Sequence, residues 1–165
     1  MERQHFNACH EGLFSLHRVK MSDQFSPSIK VYYKAVTGTT LPLWPILDIQ
    51  LSFKGRVLPW KTSALVDSGA SASVITSGLA KMLGFDLSKE KTISGEGVSG
   101  VYKGKELKDT VDVDIYGYKH SFRFTTIEKM PWDCILGEDS IFQVAKLDFQ
   151  RFKGFFEIRF REDIN

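Results

Sequence analysis

Short runs in which apolar and polar residues alternate, separated by turns that contain glycine, make up most of the chain from residue 45 onward. Residues 46–53 place isoleucine, leucine and phenylalanine along one strand, and residues 111–116 alternate with the period of two typical of a half-buried strand. The same reasoning predicts further strands at residues 29–36, 57–66, 72–75, 91–94, 101–104, 122–125, 147–150 and 155–160. The pattern therefore predicts an all-β chain built from hairpins.

Two short helices interrupt this pattern. Thr76 or Ser77 is placed to cap a helix, and Gly84 lies where a helix C-terminus favours glycine. A second short helix is expected between Gly137 and about Val144. Thirteen phenylalanines and thirteen glycines also suit short strands and turns better than a helical bundle.

The length of 165 residues fits one domain with a sizeable core. Periodicity is weak up to about residue 26, and residues 22–27 are rich in turn formers. We therefore divide the chain into an N-terminal extension at residues 1–44, which has room for one extra strand, and a domain at residues 45–165.

Charge and hydropathy exclude several classes of partner. The formal net charge is +2, and acidic and basic residues are interspersed along the chain. Because no basic tract is available to bind a phosphate backbone, nucleic-acid binding is not expected. No apolar run approaches the roughly 20 residues that cross a bilayer, and the N-terminus lacks the apolar core of a signal peptide. Cys9 and Cys134 cannot form a disulfide framework, which favours a reducing compartment. We expect a soluble, cytoplasmic protein without a membrane partner.

Several other titratable residues have a plainer interpretation. The N-terminal group consists of His5, Cys9, His10 and His17. Its spacing matches no known zinc-binding pattern, so we interpret it as part of a solvated or partner-contacting tail. His120 is expected at the surface near a hairpin turn, and Cys134 is expected to be buried without redox chemistry. Three carboxylates are expected on the solvated face and ends of a strand: Asp109, Asp112 and Asp114. We expect no metal and no organic cofactor.

The most informative stretch is residues 64–71, where an apolar run delivers one carboxylate into a tight loop. Asp67 is followed by Ser68, whose hydroxyl can hydrogen-bond across a site, and by Gly69, which lets main-chain amides approach the carboxylate. The tripeptide is also a common turn, so it does not establish a catalytic site by itself. A second element, an apolar pair that ends in glycine, follows at residues 135–137, after Asp133 and Cys134.

Together, the loop at Asp67 and the later segment Ile135, Leu136 and Gly137 resemble the retropepsin-like aspartic proteases. The order of elements matches that family over roughly residues 45–160, and residues 77–84 look more like its cellular and prokaryotic members than its retroviral ones. The resemblance implies a closed, mostly antiparallel barrel of the acid-protease type with one or two short helices. It also implies one lobe and one catalytic aspartate per chain.

The resemblance further implies roles for individual residues. Asp67 is the catalytic residue, Ser68 bonds across a subunit interface, Gly69 lets the backbone donate to the carboxylates, and Ala70 keeps the substrate channel open. A glycine-rich segment between two strand-like runs would be a mobile flap that covers the substrate: Gly95, Glu96, Gly97, Val98, Ser99 and Gly100. Ile135, Leu136 and Gly137 would pack beneath the loop and hold it rigid.

Peptide hydrolysis by carboxylates needs an ionised group that takes a proton from water and a protonated group that acts on the scissile carbonyl. The chain has one Asp-Ser-Gly, so the second carboxylate is best supplied by a symmetry mate. We therefore expect a homodimeric aspartic endopeptidase that acts on extended polypeptide through a dyad of two Asp67 side chains. The alternative is a catalytically inactive dimerisation or peptide-binding module of the same fold. A third interpretation is one domain of a larger polyprotein, or a protease that needs autoprocessing, in which residues 1 to about 44 inhibit or organise the barrel.

One departure from the retroviral pattern concerns the dimer. Retroviral members of the family follow the glycine of this segment with an arginine that helps to tie the dimer, whereas here Glu138 and Asp139 follow. A different dimer contact is therefore implied. The terminal strand at residues 155–160 either pairs with its counterpart in the second subunit or belongs to a different arrangement of termini.

Overall fold

The computed structural model describes residues 24–36, 43–97 and 100–163. Two predictions fall outside these ranges, namely the interpretation of the N-terminal histidine and cysteine group, and Val98 and Ser99 of the flap. The described ranges contain thirteen strands and two short α-helices, so the prediction of a mostly β protein with one or two helices is confirmed.

The elements follow the order that the sequence pattern indicates. The strands are β1 (Ile29–Tyr32), β2 (Ile46–Phe53), β3 (Arg56–Val57), β4 (Thr62–Val66), β5 (Val74–Thr76), β6 (Lys91–Gly97), β7 (Gly100–Glu106), β8 (Val111–Ile115), β9 (Tyr118–Phe122), β10 (Thr125–Ile127), β11 (Cys134–Leu136), β12 (Ala145–Gln150) and β13 (Phe155–Phe160). The helices are α1 (Ser77–Leu83) and α2 (Ile141–Val144), and a 3₁₀ turn spans Arg151–Lys153. No helix in the described ranges is long and apolar enough to cross a membrane.

Two sheets organise the chain. Ten strands form one sheet in the order β6-β7-β10-β5-β11-β4-β2-β8-β9, with β3 paired to β2 outside this path. The other sheet has the order β1-β13-β12. Most neighbouring strands are antiparallel, but β5 pairs with β10 and β4 pairs with β11 in parallel. These two parallel pairs bring distant segments of the chain together around the end of β4.

Strand β2 is the central apolar strand of the larger sheet. Its alternation fully buries Leu47, Ile49 and Leu51, and it pairs with β4 along its first half and with β8 along its second. The sequence predicts one returning strand over residues 57–66, but the structure divides it into β3 and β4. Pro59 lies between the two pieces, and proline has no backbone N–H to donate to a ladder.

Helix α1 has the predicted boundaries and fixes the chain just after the Asp67 loop. The Thr76 side chain accepts a hydrogen bond from Leu79 N at 3.3 Å, so the predicted N-cap is confirmed. Gly84 ends the helix with a φ of 106°, a left-handed conformation that favours glycine. Leu79 and Leu83 are buried, and the helix contacts β5, β10 and β2.

The hairpin of β8 and β9 corrects one strand prediction. The sequence places the second strand at residues 122–125, whereas β9 begins at Tyr118. Tyr116 and Gly117 both have positive φ angles, 56° and 95°, which is the condition for a two-residue hairpin turn whose twist matches the strands. The partner strand therefore starts directly after the turn, and the later residues form β10, which pairs elsewhere.

His120 is half-buried against this hairpin, so the prediction of a plain surface residue is correct only in part. Its ring stacks with Phe122 at 5.7 Å and with Phe160 at 5.5 Å between ring centroids. Its Nε2 atom is buried with no hydrogen-bond partner among the described residues, and burial lowers the pKa of His120 below its ordinary 6.5. The corrected register explains this position, because His120 alternates with Phe122 on the inner face of β9.

The smaller sheet settles the arrangement of the terminal strand. β13 is the central strand, with β1 on one side and β12 on the other, and it fully buries Phe156, Ile158 and Phe160. Both of its edges are thus occupied within one chain, which leaves no open edge on β13 for a further strand. Val31 of β1 packs into the same core as these residues.

Candidate active site

Asp67 follows directly after β4, at the point where the chain leaves the core. Val66 is buried, whereas the Asp67 side chain is half-buried. Gly69 N donates a hydrogen bond to Asp67 Oδ1 at 2.9 Å, and Ala70 N donates to the Asp67 carbonyl at 3.2 Å. The loop therefore directs a main-chain amide at its own carboxylate and leaves the other carboxylate oxygen free of hydrogen bonds from the described residues.

Close packing explains the glycine in this loop. A Cβ atom added at Gly69 would lie 3.3 Å from Asp67 Oδ1, which is closer than most Cβ contacts. A side chain at this position would press on the carboxylate that the Gly69 amide holds. Glycine thus permits the short approach between backbone and carboxylate.

Strand β11 lies beside the loop, as expected for the Ile-Leu-Gly segment. Leu136 pairs in parallel with Val66, and Asp67 N donates to the Leu136 carbonyl at 3.1 Å. Leu136 is fully buried and Ile135 is half-buried. The start of the loop is therefore attached to a strand that lies about seventy residues away in sequence.

Gly137 makes the closest contact with the loop. A Cβ atom there would lie 2.5 Å from the carbonyl oxygen of Ala70 and 2.8 Å from that of Ala72, distances that real Cβ atoms do not adopt. The next residue, Glu138, donates its backbone N–H to the Ala70 carbonyl at 2.8 Å. Glycine is required here because two backbone segments touch.

A contact that sequence reasoning missed joins Asp139 to the end of the loop. Asp139 Oδ1 accepts hydrogen bonds from Ser73 N at 2.9 Å and from Ser73 Oγ at 2.7 Å. Ser73 Oγ also accepts from Gly137 N at 2.9 Å and lies 2.6 Å from Ser140 Oγ. These residues are separated by more than sixty positions, so no local spacing signals the contact.

The candidate flap is an antiparallel hairpin of β6 and β7, paired from Lys91 with Glu106 to Gly97 with Gly100. A Cβ atom at Gly95 would lie 2.4 Å from the Tyr102 ring across the strands. At Gly104, a Cβ atom would lie 1.9 Å from the backbone oxygen of Thr126 in β10. Glycine is therefore required at Gly104, where the base of the hairpin meets the main sheet.

Two cavities in the described part of the chain are lined by residues other than Asp67. One of about 550 Å³ lies against β2, β8 and β9, where its lining includes Gln50 and Asp114. The other, of about 310 Å³, is lined in part by Lys34 and Trp132. Asp67 is not among the residues that line these two cavities.

Cys134 sits next to the loop but has no reactive character. It is fully buried and free, and burial raises the pKa of the Cys134 thiol, with the nearby Asp133 carboxylate adding to the rise. The prediction of a buried cysteine is confirmed. The carboxylates of the β8–β9 region serve local structure instead: Asp112 accepts from Ser121 Oγ at 2.6 Å, and Asp114 accepts from Gly117 N at 2.8 Å.

The sequence matches a family model, and the fold is similar to solved structures. A family model described as aspartyl protease matches residues 49–139, more than half of the chain. No curated protein matches the sequence. A retropepsin-like aspartic protease from Rickettsia conorii superposes with a TM-score of 0.54 at 18% identity, over 81% of this chain and 93% of its own. The retroviral protease-like domain of Ddi1 from Leishmania major gives a TM-score of 0.46 at 22% identity, over 62% and 80% of the two chains. The EIAV protease gives 0.46 at 20% identity, over 64% and 91%.

The matched region runs from within β2 to Asp139 and so contains both the Asp67 loop and the Gly137 segment. The likeness to the Rickettsia conorii structure shows a retropepsin-like fold. The resemblance found in the sequence is thereby confirmed, and the chain belongs to the aspartyl protease family.

Proposed function

We propose that the chain is an aspartic endopeptidase that works as a homodimer, with Asp67 of each subunit contributing one carboxylate to a shared catalytic pair. The observation that carries this proposal is the solitary Asp67 loop. Within the described ranges no second carboxylate is hydrogen-bonded to Asp67, and the cavities described above do not include it. A second subunit supplies both the missing carboxylate and the missing wall of the cleft.

The chemistry follows from the approach of two like charges. Two carboxylates roughly 3 Å apart cannot both ionise readily, so the pair holds one proton and titrates as a unit with two apparent pKa values. The ionised member takes a proton from the attacking water, and the protonated member donates to the oxygen of the scissile carbonyl. Cleavage is therefore expected to be favoured at acidic to mildly acidic pH.

The remaining loop and flap residues support this chemistry. Ser68 bonds across the interface, Gly69 brings a backbone amide to the carboxylates, and Ala70 keeps the substrate channel open. The flap at residues 95–100 closes over an extended polypeptide, excludes water and offers backbone hydrogen bonds, with the substrate lying as an added strand. The Gly69 amide already directed at Asp67 Oδ1 supports the role given to the loop.

The architecture around the site is part of the same proposal. Residues 45–165 form the protease domain, whose larger sheet closes into a barrel, and residues 1–44 form an extension that adds β1 to the smaller sheet. The dimer contact lies outside β13, because both edges of that strand are already paired. The protein acts in the cytoplasm, on polypeptide, without a metal or an organic cofactor.

The direct test is cleavage of a diverse library of unfolded peptides from about pH 3 to 8. Wild type is compared with Asp67→Asn and with the matched control Asp112→Asn, which alters an exposed carboxylate on β8. Turnover that is retained in the control and lost in Asp67→Asn supports the proposal. Full activity in Asp67→Asn refutes the assignment, and a folded wild-type dimer that binds peptides without cleaving them favours an inactive binding module.

A further inference from the structure

We propose that Asp139 is a positioning residue for Asp67: its carboxylate holds the far end of the active-site loop through Ser73. This inference rests on the proposed function, because it concerns the same site. The loop begins at Asp67, bonded to the Leu136 carbonyl, and ends at Ser73, whose amide and hydroxyl both donate to Asp139 Oδ1. The loop is thus held at both ends by one continuous segment, residues 136–139.

The contact joins Asp139, which is exposed, to a small network around two buried serines. Ser73 and Ser140 are almost fully buried, with exposed fractions of 0% and 1%. The Ser73 hydroxyl has one proton and gives it to Asp139, so Ser140 is the donor in the 2.6 Å contact between the two serine hydroxyls. The single Ser140 proton then goes to Ser73 in preference to the Gly137 carbonyl oxygen, which lies farther away at 3.2 Å. Ser73 Oγ then accepts from Ser140 and from Gly137 N, and every hydrogen-bonding group of Ser73 Oγ is used.

An acceptor is required at position 139 for this network to hold. Without it, the Ser73 amide and hydroxyl would both lose their partner in a buried environment, where an unsatisfied donor is costly. The same hydroxyl orients the Gly137 amide, whose neighbour Glu138 binds the Ala70 carbonyl in the middle of the loop. Loss of the carboxylate would therefore loosen the loop at its end and at its midpoint.

The functional consequence follows from the precision that catalysis needs. A carboxylate displaced by about 1 Å from its productive position can lose on the order of a hundredfold in rate. Asp139 lies at the far end of the loop and does not contact the substrate in the proposed mechanism. Removal of its carboxylate should therefore lower kcat much more than it raises KM. Asparagine keeps a carbonyl oxygen at the same place and should restore the loop.

The experiment compares Asp139→Ala, Asp139→Asn and Ser73→Ala with the control Asp112→Ala. The control removes another carboxylate that accepts from a serine hydroxyl, that of Ser121 at 2.6 Å, but on the β8–β9 hairpin. Asp139→Ala should lower kcat by about tenfold or more with little change in KM, and Asp139→Asn should restore most of it. The Ala variants at positions 73 and 139 should be non-additive in kcat/KM, because they break the same contact.

Amide hydrogen exchange of the 67–73 segment is measured on the same proteins and does not depend on turnover. Faster exchange there in Asp139→Ala, reversed in Asp139→Asn and absent in Asp112→Ala, supports the inference. Unchanged exchange and unchanged kcat in Asp139→Ala overturn it, as does an equal loss of kcat in Asp112→Ala. A wild type without peptidase activity refutes the proposed function alone, and the exchange result then decides whether Asp139 orders the loop.

Discussion

Replacement of Gly137 by alanine tests the packing under the active-site loop. The added Cβ would lie 2.5 Å from the Ala70 carbonyl oxygen, so ordinary contact at 3.4 Å requires one backbone segment to move by about 0.9 Å. The atoms met at Ala70 and Ala72 belong to the backbone, which cannot rotate away as a side-chain tip can. The move would also lengthen the 2.8 Å hydrogen bond from Glu138 N to the Ala70 carbonyl.

The magnitude combines two costs. Overpacking of a tight site costs about 1–3 kcal/mol, and weakening one buried backbone hydrogen bond costs about 1 kcal/mol. We expect Gly137→Ala to lower the free energy of unfolding by about 2–4 kcal/mol, a large part of the roughly 5–15 kcal/mol of a typical domain.

Urea titrations followed by tryptophan fluorescence measure this loss, at one fixed protein concentration because dimerisation shifts apparent stability. The matched control is Gly78→Ala in α1, where nothing lies within 4 Å of an added Cβ. That change should be neutral or stabilise by up to about 1 kcal/mol, since alanine favours a helix. A loss of less than about 0.5 kcal/mol in Gly137→Ala would refute the packing argument.

Two further predictions concern His120 and the base of the flap. Burial lowers the pKa of His120 in the folded chain below 6.5, so the unfolded chain binds more protons and wild-type stability should fall as pH drops through 6.5 toward the folded pKa. His120→Phe keeps an aromatic ring between Phe122 and Phe160 and should remove the part of the stability loss that comes from protonation of His120. Urea midpoints at pH 7.5 and 5 compare the variant with wild type. An identical pH dependence of the two midpoints would contradict this prediction. Gly104→Ala would set a Cβ 1.9 Å from the Thr126 backbone oxygen, and should destabilise by about 3 kcal/mol or more in the same urea assay. An unchanged midpoint in Gly104→Ala would show that β7 and β10 separate without cost.

Local signals predicted the parts of the fold that local chemistry determines. Thr76 and Gly84 mark the ends of α1 because capping depends on side-chain oxygen and left-handed backbone at those positions. The alternation of apolar and polar residues in β8 predicts which face of the strand is buried, because a strand with one buried side has an apolar residue at every second position. The Asp67 loop was recognisable because its carboxylate, hydroxyl and glycine are consecutive.

Other features depend on contacts between distant segments and left no local signal. The start of β9 depends on Tyr116 adopting a positive φ, which is uncommon for a residue of that size. That error moved the strand by four residues and hid the burial of the His120 Nε2 atom. The contact of Asp139 with Ser73 and the central place of β13 between β1 and β12 likewise arise only when the chain is folded.

The claim that one catalytic site takes Asp67 from two subunits is tested most directly by mixing. Wild type and Asp67→Asn are refolded together in varied proportions at constant total concentration, and peptidase activity is measured at the optimal pH. If both subunits of a random dimer must carry Asp67, an equal mixture should retain about one quarter of the wild-type activity. An activity that falls in simple proportion, to about one half, would mean that each chain works with its own Asp67 alone and would contradict the shared dyad.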